Sequence, residues 1–198
     1  CRTRRPDDWL EALAARKRYE KLLGQAGRDG MTGVADRGRR EGEAGGFVTQ
    51  AISRGDSVSV FLIDIDDFKG VNDRGGHLVG DAVLRALADM LRGNLRDNDN
   101  LYRFGGDEFV VVTAGLSPAA SIMLAERLRR LIGELPISGL TEPLSVCIGV
   151  ANSPDDGDSF LTLLSIADKR LYAAKDTGRN RVIGGRETSD RDARGMLR

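Results

Sequence analysis

Three short runs of apolar, mostly β-branched residues constrain the fold of this chain more than any other feature. They are SVSVFLID at 57–64, FVVVT at 109–113 and PLSVCIGVA at 143–151. Over most of each run apolar residues follow one another, although Ser57 and Ser59 alternate with valines at the start of the first. Continuous apolar residues are typical of strands that are buried on both faces. Since such strands need cover on each side, the runs predict a sheet that is packed against helices.

Helical spacing of apolar residues supplies that cover. It recurs over residues 80–95, 117–135 and 159–178, and the second segment opens with Ser117 as an N-cap and Pro118 behind it. Shorter strands are predicted at 101–104 and 181–184. The whole pattern predicts an α+β fold in which one central, mostly antiparallel sheet is covered by helices.

The two ends of the chain differ from this central part. Residues 5–25 predict an N-terminal helix, either a packing or connecting helix or the end of a dimeric signalling coil. Residues 27–46 are rich in glycine and charge, which predicts a loop with some frayed helix. We expect a connecting or signalling helix at 1–27, one globular domain at 28–184 and a polar, disordered tail at 185–198.

Charge and cysteine content limit the possible partners and compartment. The 30 basic and 30 acidic side chains cancel, so bulk attraction to nucleic acid is not expected. The cysteines are Cys1 and Cys147, and the latter lies in an apolar run, which favours a small buried side chain in a cytoplasmic protein. Because the sequence starts at Cys, we expect an upstream region that can hold a sensor or a membrane anchor.

The stretch RFGGDEF, residues 103–109, places two glycines and two carboxylates directly against a buried strand. A buried carboxylate without a partner is costly, and a divalent cation can neutralise adjacent acids. Asp64 lies where the first apolar run ends, so Asp64 and Asp107 can face one another if the two strands are neighbours. A few hard oxygen ligands of this kind suit Mg²⁺, which substrate phosphates then complete.

These residues carry a resemblance to a known family. RFGGDEF, together with DIDDFKGVNDRGGHLVGD upstream and LYAAKDTGRNRV downstream, resembles the GGDEF family of diguanylate cyclases. The motif DGMTGVADR at 29–37 is similar to the opening motif of that family, with Met31, Val34 and Asp36 in place of Leu, Leu and Asn. The resemblance implies a palm-like fold related to nucleotidyl cyclases and polymerases, in agreement with the α+β pattern.

The resemblance also implies a reaction and a metal site. Two GTP molecules are joined into cyclic di-GMP with release of pyrophosphate, and a homodimer is implied because each protomer holds one GTP. Asp64, Asp107 and the backbone carbonyl of Ile65 are implied to hold two Mg²⁺ ions. Glu108 is implied either to complete the metal shell or to accept the proton of the attacking hydroxyl. Lys175 is the remaining implied catalytic residue.

Substrate contacts are implied along the same motifs. The backbone near Phe68 and Lys69 would wrap the phosphates, and two glycines of the turn would let the nucleotide approach closely. Lys175 and Arg179, four residues apart and expected in the last turn of the final helix, would neutralise the triphosphate. The alternative is that these two cations only stabilise the C-terminus of that helix. The implied substrate residues are Phe68, Lys69, Asn72, His77, Asp81, Gly105, Gly106, Lys175 and Arg179.

Base recognition is implied at Asn72 and Asp81. Guanine presents two adjacent donors that match the two acceptors of a carboxylate, whereas adenine presents an acceptor there. Asp81 therefore favours GTP over ATP, although an acid near a helix N-terminus has a structural explanation as well. For His77, the sole histidine, a hydrogen bond that orders the loop is favoured over direct ligand contact.

A final motif, Arg96 to Asp99 in RDND, matches the R-x-x-D at which the family binds its product as an inhibitor. Arginine suits phosphate and guanine, while the alternative is a solvated loop of mixed charge. Arg127 lies where the family often offers a second arginine from a partner subunit. Three rival functions are less favoured. The intact GGDE motif argues against a domain that only senses cyclic di-GMP, and Asp81 argues against a synthase of mixed cyclic dinucleotides. A nucleotide-binding structural domain would not account for the spacing of the motifs.

Overall fold

The computed structural model describes residues 31–34, 37–140 and 142–185. The predicted helix at 5–25 and the tail from residue 186 lie outside the described residues. The described elements follow one another in the order α1 (Arg37–Ser53), β1 (Val58–Ile65), α2 (Phe68–Gly75), α3 (His77–Asn94), β2 (Asn100–Arg103), β3 (Glu108–Ala114), α4 (Pro118–Gly133), β4 (Val146–Ser153), α5 (Phe160–Asp176) and β5 (Val182–Gly184).

The five strands form one sheet in the order β2-β3-β1-β4-β5. Every pairing is antiparallel except that of β4 with β5. All eight residues of β1 are buried, because β1 lies at the centre of the sheet between β3 and β4. The predicted α+β fold with a mostly antiparallel sheet is thus confirmed.

Helices cover both faces of this sheet, which explains why β1 is apolar on both sides. Phe61 and Ile63 point into a core shared with α3 and α4, while Val60 and Leu62 point into a second core shared with α1 and α5. Successive side chains of a strand alternate between faces, so both sets are buried at once. One face is closed by α3 and α4 together with Val71 of α2, and the other by α1 and α5.

The prediction of a loop with some frayed helix over residues 27–46 needs correction from Arg37 onward, since the regular helix α1 begins there. Glycines at 42, 45 and 46 lower the intrinsic helix propensity of this segment. Burial compensates, because Ala44, Val48 and Ala51 follow one another at helical spacing and are completely buried against the sheet. Tertiary packing therefore decides the structure of this segment.

Close packing of α5 on the sheet brings the end of that helix to the edge where β1 ends. A Cβ atom at Gly149 of β4 would lie 2.0 Å from the carbonyl oxygen of Ala167 in α5. Only glycine allows this approach. Lys175, in the last turn of α5, consequently reaches the end of β1.

In the part of the chain that the structure covers, no helix has the combination of length and apolar character that crossing a membrane requires.

Candidate active site

A cluster of acidic side chains lies at the edge of the sheet where β1 ends and β3 begins. Asp64 is paired directly with Glu108 across the two strands, and Asp107 precedes Glu108 in the turn. Asp64 is only 6% exposed. The Lys175 ammonium lies 2.8 Å from Asp64 Oδ2. The structure therefore brings the Asp64 carboxylate, the GGDE turn and Lys175 together. The sequence predicts the first two as neighbours, whereas the contact of Lys175 with Asp64 is seen only in the structure.

The pKa of Asp64 is raised from 3.8 to about 6, chiefly because burial penalises its ionised form. The ion pair with Lys175 acts in the opposite direction, and the negative charges of Asp107 and Glu108 raise the pKa further. A single ammonium group thus fails to compensate the acids that surround Asp64. An additional cation would lower the cost of ionising them.

The GGDE turn is held in place by backbone contacts. The amide of Phe104 donates to the carbonyl of Glu108 at 2.7 Å. Arg103 donates from Nε and Nη2 to the carbonyl of Gly106, at 3.2 and 2.6 Å. A Cβ atom at Gly105 would lie 2.6 Å from Glu108 Oε2, so glycine allows that carboxylate to fold back against the turn. Arg103, the first residue of the stretch RFGGDEF, was not among the residues predicted for the site.

The donor set at this edge fits a magnesium ion better than a metal held by protein alone. Across the described residues there is no group of three or more His, Cys, Asp or Glu side chains that could hold a metal ion. Mg²⁺ commonly takes one or two carboxylates and completes its shell with water and substrate phosphates. The side chain of Ile65 packs in the core, which leaves only its carbonyl as a possible ligand.

The segment after β1 forms the short helix α2 and then α3. Asp67 opens α2 in a left-handed conformation, with φ of 50°. Phe68 packs partly against the core and Lys69 is exposed. The predicted wrapping of phosphates at this point therefore depends on backbone groups of the first turn of α2 and on an exposed lysine.

The two residues predicted to bind guanine are brought close by the packing of α2 on α3. Asn72 Oδ1 lies so close to Gly80 that a Cβ atom added to this glycine would be only 2.0 Å from it. Gly80 directly precedes Asp81, so the amide of Asn72 lies beside the start of α3. Asp81 is the fifth residue of α3 and pairs with Arg85 at 3.8 Å. It therefore lies beyond the first turn, which weakens the purely structural explanation.

Two predicted contacts need adjustment. Arg179 does not lie in the last turn of a helix, because α5 ends at Asp176 and Arg179 follows in a left-handed conformation with φ of 58°. His77 is the exposed first residue of α3, and within the described ranges its imidazole makes no hydrogen bond. The favoured loop-ordering bond is thus missing, and ligand contact at His77 stays a prediction.

Cys147 is fully buried and free, as predicted. The pKa of its thiol is raised from 9.0 to about 12, chiefly by burial and also by the neighbouring Asp66 carboxylate. The thiol donates to Asp66 Oδ1 at 3.1 Å. Cys147 is therefore a hydrogen-bond donor at the edge of the acidic cluster and not merely an apolar filler.

A second candidate site lies where α3 meets β2. The RDND turn closes on itself, since the amide of Arg96 donates to Asp99 Oδ2 at 2.9 Å. Arg127 of α4 donates to the carbonyl of Asn94 at 2.9 Å. A surface cavity of about 670 Å³ is lined by Arg96, Asp99 and Arg127 of the same chain. Arg130, which sequence reasoning missed, also lines it, three residues beyond Arg127 on α4.

Comparison with known proteins defines the family. Residues 26–181 match the family described as diguanylate cyclase, GGDEF domain. The response regulator PleD of Caulobacter vibrioides is 39% identical over 173 residues, which cover 85% of this chain and 38% of PleD. The diguanylate cyclase VdcA of Vibrio cholerae is 35% identical over 179 residues, which cover 88% of this chain and 51% of VdcA.

A solved structure supports the same assignment. The GGDEF domain of DgcB from Caulobacter crescentus, in complex with c-di-GMP, superimposes with a TM-score of 0.74 at 30% identity. The match covers 81% of this chain and 96% of that domain. The chain belongs to the GGDEF family of diguanylate cyclases. It spans about half or less of the length of the two curated relatives.

Proposed function

We propose that residues 28–184 form a catalytic domain that condenses two GTP molecules into cyclic di-GMP and two pyrophosphates. The observation that carries this proposal is the compact group at the end of β1. A buried carboxylate, Asp64, faces the intact GGDE turn and is contacted by Lys175 at 2.8 Å. A domain that had lost catalysis and only bound cyclic di-GMP would have no need to retain this costly cluster.

The acids of the turn would hold Mg²⁺ through Asp64, Asp107 and the carbonyl of Ile65. Two such ions, when bound, stabilise the attacking and leaving oxygens of an in-line displacement at phosphorus. Glu108, which lies opposite Asp64 in the sheet, would either complete that shell or accept the proton of the 3′-hydroxyl.

Lys175, which pairs with Asp64, would also bind the triphosphate. Its side chain is about one-third exposed, so the ammonium can turn toward an incoming phosphate without desolvation of a buried charge. Arg179 follows in the turn after α5 and would add a second cation. The first-turn amides of α2 and Lys69 would contact the remaining phosphate oxygens.

Asn72 and Asp81 would bind the base, with the exposed His77 at the margin of the same pocket. Ionised Asp81 offers only acceptors, and these match the adjacent donors of guanine but meet an acceptor in adenine. The carboxylate therefore supports a preference for GTP and argues against a synthase of mixed cyclic dinucleotides.

The domain would work as a homodimer, because each protomer offers one GTP site and the product contains two nucleotides. The cavity lined by Arg96, Asp99 and Arg127 would bind the product and slow the enzyme. The c-di-GMP complex of the DgcB domain supports a product site in this family. We further propose that the domain acts in the cytoplasm as the output of a longer protein with an upstream sensor, and that it does not bind nucleic acid.

Product identification tests the proposal. The protein is incubated with GTP and Mg²⁺, and the products are separated by chromatography and identified by mass spectrometry. The expected product is cyclic di-GMP, and ATP should give no comparable product. Binding of cyclic di-GMP without any turnover of GTP would instead identify a sensor and overturn the proposal.

A further inference from the structure

Asp66 lies two residues beyond Asp64 and has a different environment. Both of its carboxylate oxygens accept hydrogen bonds from within the chain. Oδ1 accepts from the thiol of Cys147 at 3.1 Å. Oδ2 accepts from the hydroxyl of Ser145 at 2.8 Å and from the backbone amide of Asn180 at 3.0 Å. Since these donors occupy both oxygens, Asp66 is suited to support the site and not to bind a ligand directly.

The hydrogen bond between Asp66 and the amide of Asn180 stabilises a turn with an unfavourable backbone conformation. Arg179 and Asn180 are consecutive non-glycine residues with positive φ, 58° and 47°. Such a pair persists only when its surroundings hold it in place. Asp66 holds the backbone of Asn180, and Arg129 donates to Asn180 Oδ1 at 2.7 Å. The position of Arg179 therefore depends on a neighbour that Asp66 fixes.

The contacts with Ser145 hold the other side of the site. The amide of Asp66 donates to the carbonyl of Ser145 at 2.9 Å, and the Ser145 hydroxyl returns a bond to the Asp66 carboxylate. This reciprocal pair fastens the chain directly after Ile65 to the start of β4. The Ile65 carbonyl and the Asp66 amide belong to one planar peptide group. The backbone bond to Ser145 therefore orients this carbonyl, and the side-chain bond between Ser145 and Asp66 supports that arrangement.

We infer that Asp66 is a positioning residue that joins three segments, the end of β1, the start of β4 and the turn after α5. It sets the Ile65 carbonyl and Arg179 in the geometry that Mg²⁺ and the triphosphate require. The inference rests on the proposed function, which assigns those two groups to metal and phosphate. Partners of this kind that orient metal ligands commonly change metal affinity or activity about 10- to 100-fold when they are replaced.

The test uses Asp66→Ala, Asp66→Asn and Ser145→Ala, with Asp89→Asn as a control that removes an exposed carboxylate of α3. The probe is 3′-deoxy-GTP, which lacks the attacking hydroxyl, and its binding in the presence of Mg²⁺ is measured by calorimetry. The Mg²⁺ concentration for half-maximal cyclase rate is a second readout. Circular dichroism melts establish that each variant is folded at the assay temperature.

Asp66→Ala is expected to weaken binding of the Mg²⁺–nucleotide probe and raise the required Mg²⁺ concentration about 10- to 100-fold. Asp66→Asn keeps one oxygen that can accept these hydrogen bonds, so its probe binding should be weakened less than that of Asp66→Ala. Ser145→Ala should act in the same direction without a change of charge, while Asp89→Asn should behave as wild type. Should Asp66→Ala not fold, the other two variants carry the test.

Two results would overturn the inference. One is a folded Asp66→Ala whose probe binding and Mg²⁺ requirement equal those of wild type. The other is a pair of results: Asp66→Asn loses as much probe binding as Asp66→Ala, and Ser145→Ala binds the probe like wild type. The charge of Asp66, and not its hydrogen bonds, would then be responsible for the effect. Failure of the proposed function can be distinguished from failure of this inference. In that case wild type would make no cyclic di-GMP, but the binding of 3′-deoxy-GTP would still show whether Asp66 positions the site.

Discussion

Replacing Asp64 by asparagine should stabilise the metal-free protein while it destroys the proposed activity. Asparagine has nearly the same shape as the protonated side chain but cannot ionise. In the folded protein, ionisation of Asp64 is opposed by burial and by the charges of Asp107 and Glu108. The variant avoids this cost, and the Lys175 ammonium that it leaves behind is partly solvated.

The size of the effect follows from the pKa. A pKa raised from 3.8 to about 6 means that folding disfavours the ionised form by about 3 kcal/mol. Because the folded pKa lies above the unfolded one, the folded state binds more protons between these values. The stability that wild type retains below about pH 4 is therefore lost as the pH rises through about 6. The variant should gain up to about 3 kcal/mol over wild type at pH 8 and almost nothing near pH 4.

Urea unfolding of both proteins with a chelator, at several pH values from 4 to 8, measures this difference. Asp89→Asn serves as the control, since its carboxylate is exposed and pairs with the neighbouring Arg92 on the same helix. Mg²⁺ with 3′-deoxy-GTP should then stabilise wild type but not Asp64→Asn, because ligand binding to the folded state raises stability. An Asp64→Asn that is less stable than wild type at pH 8, or a difference that is constant with pH, would refute the reasoning.

The remaining predictions concern the other assigned residues. Asp107→Asn should abolish cyclase turnover with Mg²⁺, and a rate near wild type would contradict the metal assignment. Asp81→Ser should relax the preference for GTP over ATP in side-by-side nucleotide binding, because a hydroxyl both donates and accepts; an unchanged preference would transfer base recognition to Asn72. Arg96→Ala should keep the initial rate but lose cyclic di-GMP binding and the late slowing of the reaction, a coupling typically worth about 1–3 kcal/mol; undiminished product binding would show that the RDND turn has no part in feedback.

The sheet and its acidic edge were predictable because their signals are local. Continuous apolar runs indicate a strand that is buried on both faces, and β1 has that environment. The position of Asp64 at the end of one run predicted that it can face Asp107 of the GGDE turn if the two strands are neighbours. The two strands do pair, and their register places Asp64 directly opposite Glu108, the residue after Asp107. The pairing of β1 with β3 was the one long-range contact that this prediction had to assume.

Other features depend on tertiary contacts that the sequence does not express. The glycines of α1 suggest a loop, and only the burial of Ala44 and Val48 against the sheet makes that segment helical. Arg179 follows Lys175 at helical spacing, yet the helix ends between them. The hydrogen bonds of Arg103 and Asp66 are directed to atoms whose positions follow from the fold, so their roles became visible only in the structure.

The stoichiometry of the reaction tests the central claim most directly. With Mg²⁺ and GTP, the account predicts that cyclic di-GMP and pyrophosphate accumulate together, with two pyrophosphates for each cyclic dinucleotide. It also predicts that 3′-deoxy-GTP alone gives neither product, since it lacks the attacking hydroxyl, and that Asp107→Asn is inactive. Pyrophosphate release without a cyclic dinucleotide, or a cyclase rate in Asp107→Asn equal to that of wild type, would contradict the account.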